Sequence, residues 1–218
     1  MPVEKTIPAF VIRISYDIIK EETPNRAALN RVLEMAGLER YADSPPPMDD
    51  SPAISRAEFE RMIGVVWQVF DDVQARLIFR RTGQRGFEHL TRSGVLSFTQ
   101  FLRAFDSLTS KTERVALAMQ RLTGEISRAL GNRHEFHRDG EDFILDIYDC
   151  PYCSDLARQG AHTSDAHICY IPVAFYEAAV NWASGDKNTV REIACAAGMR
   201  QSYCRFKIFW NLGVKDLA

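Results

Sequence analysis

The stretch VREIACAAGMRQSYCRFKI, Val190 to Ile208, sets a glutamate and two cysteines close together ahead of an alternating tail. In the tail, Cys204, Phe206 and Ile208 alternate with Arg205 and Lys207. That period of two predicts a strand with one buried face. Upstream, Thr189 to Ala197 reads as a helix closed by Gly198. Glu192 and Cys195, three residues apart, would then share one helical face. The turn at Gly198 would bring Cys204 back to the same side.

Working outward, PVAFYEAAVNWA (Pro172 to Ala183) is apolar on nearly every side, interrupted only by Glu177 and Asn181. Such a helix is buried or borders an apolar cavity. AHICYI, Ala166 to Ile171, is expected to be a short strand. HEFHRDGEDFILDIYDC, from His134, carries Asp139-Gly140 between two strand-like runs, a hairpin signal. Phe143, Leu145 and Ile147 form one face of its second strand, alternating with Ile144, Asp146 and Tyr148.

The first 130 residues read as helices. Ile7, Phe10, Val11, Ile14 and Ile18 recur at helical spacing. Thr23-Pro24 predicts a helix start, and the helix Asn25 to Ala36 stops at Gly37. DSPPPMDDS, Asp43 to Ser51, reads as a linker. Ser55 with Glu58, and Ser110 with Glu113, form capping-box patterns ahead of long apolar stripes. A helix over Val73 to Arg81 is expected to break at RTGQRG, Arg81 to Gly86, and Phe98 to Phe105 reads as helix or helical turn. The fold class is therefore α+β: a helical N-terminal region over 1–108, then an antiparallel sheet covered by helices over 109–218.

Composition narrows the function. With 46% apolar residues the chain can bury a real core, and a net charge of −2 gives no general attraction for nucleic acid. Glu4, Lys5, Arg13 and Asp17 interrupt the N-terminus, so no signal peptide is read. No run reaches the roughly 18 apolar residues of a membrane helix. The expected location is cytoplasmic.

Five cysteines in such a setting are read as small buried hydrophobes or as metal ligands. Cys169, Glu192, Cys195 and Cys204 offer three thiolates and a carboxylate, a donor set for a closed tetrahedral zinc site of structural type. They read equally as separate buried cysteines and a surface glutamate. DCPYCSD holds a Cys-x2-Cys, Cys150 and Cys153. That pair fits a redox couple, two alternative zinc ligands, or a cysteine ending a buried strand. His162 and His167 are further alternative ligands. No catalytic residue is assigned. Gly-x-Gly-x-x-Gly after a strand and the phosphate-binding P-loop are both lacking, so no nicotinamide or flavin is expected.

The run HICYIPVAFYEAAVNWASGDKNTVREIACAAGMRQSYCRFKI resembles the 4-vinyl reductase (4VR) domain family, with a cysteine, an apolar helix, a Glu-x2-Cys and a final Cys-x-Phe strand. The resemblance spans about Phe136 to Phe209. It implies the ligand-binding fold shared by nitric-oxide-signalling and Golgi-transport proteins. AFYEAAV and REIACAAG look most like the bacteriochlorophyll-pathway members, which implies a tetrapyrrole intermediate as ligand, with a carrier or vinyl-reductase role. The family's phenol-sensing relatives imply instead an aromatic or lipid sensor. Their zinc ligands, carried over by position, fall on Cys169, Glu192, Cys195 and Cys204, with eight residues between the last two, one more than in the sensors. Homodimerisation through the N-terminal helices is also implied. A pocket between sheet and helices would be lined by Phe143, Leu145, Ile147, Phe175, Tyr176, Ala179, Trp182, Phe206 and Ile208, apolar as a hydrophobic ligand requires.

Overall fold

The computed structural model describes residues 6–23, 25–93, 110–153, 168–199 and 202–210. Strand β1 (Thr6–Pro8) leads into helix α1 (Ala9–Glu22), and α2 (Arg26–Ala36) follows. Asn25 caps α2 by accepting from the Ala27 N–H, and Gly37 closes it at φ 74, the left-handed region glycine tolerates. The cap is thus Asn25 itself rather than Thr23, whose hydroxyl turns back to the Ile19 carbonyl.

The segment 43–51 forms neither helix nor strand, but it is not a free linker. Helix α1 starts after Pro8, which offers no side-chain acceptor. The segment caps α1 with main-chain carbonyls instead: Ala9 N–H donates to Ser51 O at 2.8 Å and Phe10 N–H to Asp49 O at 2.9 Å. Arg13 also donates to Pro46 O. Strand β2 (Pro52–Ser55) then pairs antiparallel with β1.

Helix α3 (Arg56–Val69) opens on the Ser55/Glu58 capping box. Helix α4 runs unbroken from Asp72 to Arg92, through RTGQRG. The glycines do not break it because one serves packing. A methyl at Gly83 would strike the Ile171 carbonyl oxygen and sit 3.0 Å from Phe175 N. Helix α5 (Lys111–Leu130) begins with the Ser110/Glu113 box. The Phe98–Phe105 expectation lies outside the described residues.

Strands β3 (His134–Asp139) and β4 (Asp142–Tyr148) form the expected hairpin, with Asp139 facing Asp142 and Gly140 at φ 61. Helix α6 (Tyr170–Ser184) takes in residues expected as a strand: Ile168 and Cys169 are irregular and Tyr170 is already helical.

Thr189 to Ala197 also departs from expectation. Thr189–Ala194 is strand β5, followed by the short α7 (Ala196–Met199) and β6 (Tyr203–Phe209). Val190, Glu192 and Ala194 point inward while Arg191 and Ile193 face out, so the period is two, not three and a half. The antiparallel sheet has the order β3-β4-β6-β5. Its inner face sets Phe143 opposite Ile208, Leu145 opposite Phe206 and Ile147 opposite Cys204. These residues join one continuous apolar core with the helices, in which α6 packs most extensively on α4.

Candidate ligand cavity and cysteine cluster

Close approach of α4 and α6 at Gly83 leaves a gap one turn further along. There α1, α4, α5 and α6 enclose a cavity of about 70 Å³. Phe10, Val11 and Ile14 of α1 face Gly86 and Leu90 of α4, Ile126 and Leu130 of α5, and Ile171 and Phe175 of α6. Its polar tips are few: Thr82, His134, Tyr152 and Tyr176. The Thr82 hydroxyl is already committed to the Ile78 carbonyl at 2.8 Å. His134 Nδ1 lies 3.5 Å from the Tyr176 hydroxyl, and Nε2 lies 3.4 Å from Asn132 Nδ2. Burial disfavours the imidazolium and brings the His134 pKa down to about 4, so the ring is neutral at pH 7. Burial pushes the Tyr176 hydroxyl well above the usual tyrosine range.

Of the nine lining residues expected, Ile147, Phe175 and Tyr176 border this cavity. Phe143, Leu145, Phe206 and Ile208 do not. They lie along the sheet's inner face and are at most 1% exposed in solid packing. Ala179 and Trp182 sit beyond Tyr176 along α6, where Trp182 meets Phe87 at a ring separation of 6.2 Å. The sequence reading missed the α1 and α5 walls, His134 and the glycine pair. Gly83 and Gly86, three apart within a helical pattern, were the available signal.

The second site lies where β4, β5 and β6 meet the start of α6. All five cysteines of the chain are buried there and none is in a disulfide. One ligand atom each from Cys169, Glu192, Cys195 and Cys204 lies within 4.8 Å of every other. The expected group therefore assembles, though by a different route. Glu192 points inward from β5, Cys195 follows the strand, and a bulge after Glu192 lets both reach Cys204 on β6. Cys169 caps α6, and its N–H donates to Glu192 Oε2 at 3.0 Å. Ala196 N–H donates to Cys204 Sγ at 3.4 Å.

Cys150 and Cys153 join the same cluster. Cys150, Cys153, Cys169 and Cys204 form a second set within 4.8 Å. The Cys-x2-Cys turn is anchored from α3. Arg56 donates to Asp149 Oδ2 at 2.8 Å and to Glu60 at 2.7 Å, and Glu60 is 3% exposed. Asp149 itself takes φ 51, a left-handed conformation that aspartate tolerates better than most residues. His162 and His167 lie outside the described residues.

Without a cation, burial holds most groups of the cluster in their protonated, neutral forms. Burial pushes Cys150 up to about 11 and Cys169 well above the usual thiol range. Burial, reinforced by the charge of Cys195, raises Glu192 to about 9. Hydrogen bonding among thiols, Cys150 first, holds Cys204 down near 7. Glu192 Oε1 is buried with no hydrogen-bond partner among the described residues. A dication that displaced the carboxyl proton would give this orphaned oxygen and the converging sulfurs a partner, so the donor set fits a tetrahedral metal site.

No protein-family model matches the chain, and no curated protein matches it in sequence. Solved structures match in fold. An H-NOX protein mutant from K. algicida, in its Fe(II) unliganded form, is 8% identical with a TM-score of 0.56, over 96% of this chain and 99% of that one. Another, from work on haem distortion in the H-NOX family, is 11% identical with a TM-score of 0.53, over 94% of this chain and 96% of that one. The phenol-responsive sensory domain of the transcription activator PoxR, with phenol, is 14% identical with a TM-score of 0.46, over 70% of this chain and 76% of that one. At these identities the likeness shows the fold alone. The chain has the α+β architecture of the H-NOX group. Among the described residues no helix is long and apolar enough to cross a membrane.

Proposed function

We propose that the chain is a small-molecule-binding module, a sensor or carrier, that takes a compact apolar or aromatic ligand into the cavity between α1, α4, α5 and α6. A structural zinc ion held by Cys169, Glu192, Cys195 and Cys204 would tie β5 and β6 to the start of α6. The observation that carries the reading is the cavity itself: about 70 Å³, apolar-walled, with His134 and Tyr176 beside one another on its lining. An engineered apolar cavity of about 150 Å³ admits benzene, so a one-ring ligand requires the space between these helices to about double. One polar substituent would find a neutral imidazole or a tyrosine hydroxyl.

The second reading is a tetrapyrrole, as the 4VR resemblance implies and as the haem work on the H-NOX relatives favours. A four-ring macrocycle belongs with pockets several times larger, of about 300–1,000 Å³, so α1 and α5 would have to part from α4 and α6. A role in bacteriochlorophyll synthesis is a special case of this reading.

Thermal unfolding of the purified protein against phenol, indole, haem and chlorophyllide separates the two, because a ligand of the folded state raises the melting temperature. Saturable stabilisation by the one-ring compounds supports the first reading. A Soret shift and stabilisation by the macrocycles alone would replace it with the second.

A further inference from the structure

A tetrahedral ion needs four donors, yet six converge: five thiols and one carboxylate. They fall into two sets of four that share Cys169 and Cys204. We infer that the cluster is a two-metal site, in which a second thiophilic dication sits between Cys150, Cys153, Cys169 and Cys204, with Cys169 and Cys204 bridging it to the first.

The sulfur geometry carries this. With zinc–sulfur bonds of about 2.3 Å, the edge of a regular ZnS4 tetrahedron is about 3.8 Å. In the all-cysteine set, Cys150 Sγ to Cys169 Sγ is 3.8 Å, Cys169 to Cys204 is 3.8 Å, and Cys153 to Cys204 is 3.3 Å. Three edges therefore lie at or just inside the tetrahedral length. In the mixed set Cys204 to Cys195 is 3.9 Å, with the same shared edge. Iron–sulfur clusters hold their cysteines further apart around inorganic sulfide, so the tight spacing favours single ions on each side of the shared edge.

Local structure agrees. Cys150–Cys153 is the two-residue-spaced turn that structural zinc sites use, with Cys153 N–H directed at the Cys150 carbonyl at 3.4 Å. Arg56 of α3 fixes that turn through Asp149. Charge agrees as well. One dication with three thiolates and a carboxylate leaves two negative charges. Two dications with five thiolates and a carboxylate leave the same. The second ion therefore adds no net buried charge, while it ionises two thiols otherwise buried as neutral groups. Soft sulfur donors select zinc-like ions over magnesium or calcium.

This inference rests on the proposed zinc set for its two bridging ligands, and the test keeps the two apart. Full-length protein, reduced and metal-free, is reconstituted anaerobically with Zn²⁺ alone and the ions are counted per chain by native mass spectrometry. Two ions support the inference. One ion overturns it and leaves the single-site reading standing, while none overturns both. Titration with Co²⁺ gives an independent readout on unmutated protein. Sulfur-to-cobalt charge-transfer absorption should climb to two equivalents, and the spin signal at two equivalents should fall below twice the one-equivalent signal, because bridged ions couple. Saturation at one equivalent would overturn the inference. Cys150→Ser with Cys153→Ser should reduce the count from two to one, as should Glu192→Gln with Cys195→Ser. If the first pair leaves the count unchanged, the second ion is not where it is placed here.

Discussion

Replacing Gly83 by alanine tests the helix packing that shapes the cavity. In an unconstrained helix interior this change stabilises by about 1 kcal/mol, because alanine is the better helix former. Here the new methyl would overlap the Ile171 carbonyl oxygen and lie 3.1 Å from the Ile171 carbonyl carbon and 3.0 Å from Phe175 N. All three are main-chain atoms of α6, which cannot swing aside as a side chain can. Overpacking typically costs about 1–3 kcal/mol, and a backbone clash belongs at the upper end. The net expectation is a loss of about 2 kcal/mol, or roughly 4–8 °C in melting temperature for a chain of this size. Gly124→Ala on α5 is the control, since nothing lies within 4 Å of its added methyl. It should melt about 2–4 °C higher than the parent, from propensity alone. Circular dichroism melts of the three proteins decide the matter. If Gly83→Ala matches Gly124→Ala, α4 and α6 do not meet as described and the account of the cavity falls with them.

Further perturbations probe the remaining parts. His134 titrates near 4 when folded and near 6.5 when unfolded, so between those values the unfolded chain holds the extra proton. Stability should therefore fall as pH drops from about 6.5 to 4, by about 3 kcal/mol, and His134→Gln should flatten that part of a urea-unfolding pH series. Arg56→Ala removes the guanidinium from Glu60, which is 3% exposed, and from Asp149. A loss of about 3 kcal/mol is expected by chemical denaturation, with weaker metal retention against a chelator, whereas an unchanged midpoint would show that the Cys150–Cys153 turn needs no such anchor. Val11→Phe should fill the cavity and abolish the melting shift produced by phenol, with the far-ultraviolet spectrum unchanged; a retained shift would place the ligand elsewhere.

Much of this architecture is legible in the sequence where one local signal dominates. The Ser55/Glu58 and Ser110/Glu113 boxes, the Asp139-Gly140 hairpin and the Cys204–Ile208 alternation all appear as read, because capping and strand period are local physics. Reading failed where tertiary contact overrides local preference. Glycines at 83 and 86 look like helix breakers, yet the partner that Gly83 admits is a backbone 88 residues away at Ile171. Thr189–Ala194 mixes helix formers (Arg191, Glu192, Ala194) with β-branched strand formers (Thr189, Val190, Ile193), and pairing with β6 decides for the strand. The cysteine–glutamate group was legible as a set of residue types, although its geometry comes from a strand and a bulge rather than a helical face. Cys150 and Cys153 were ambiguous because a two-residue spacing does not say which distant thiols it will meet. The cavity was least legible. Its walls come from four helices, and no one-dimensional pattern records which apolar residues stop short of filling the space between them.

The most direct test is methyl NMR of isoleucine-labelled protein during titration with phenol. Ile14, Ile126, Ile147 and Ile171 border the cavity, while Ile63 and Ile208 are buried away from it. Saturable shifts should concentrate on the first four, with the other two unmoved. Shifts scattered over the surface, or none at millimolar phenol, would contradict the proposed ligand site.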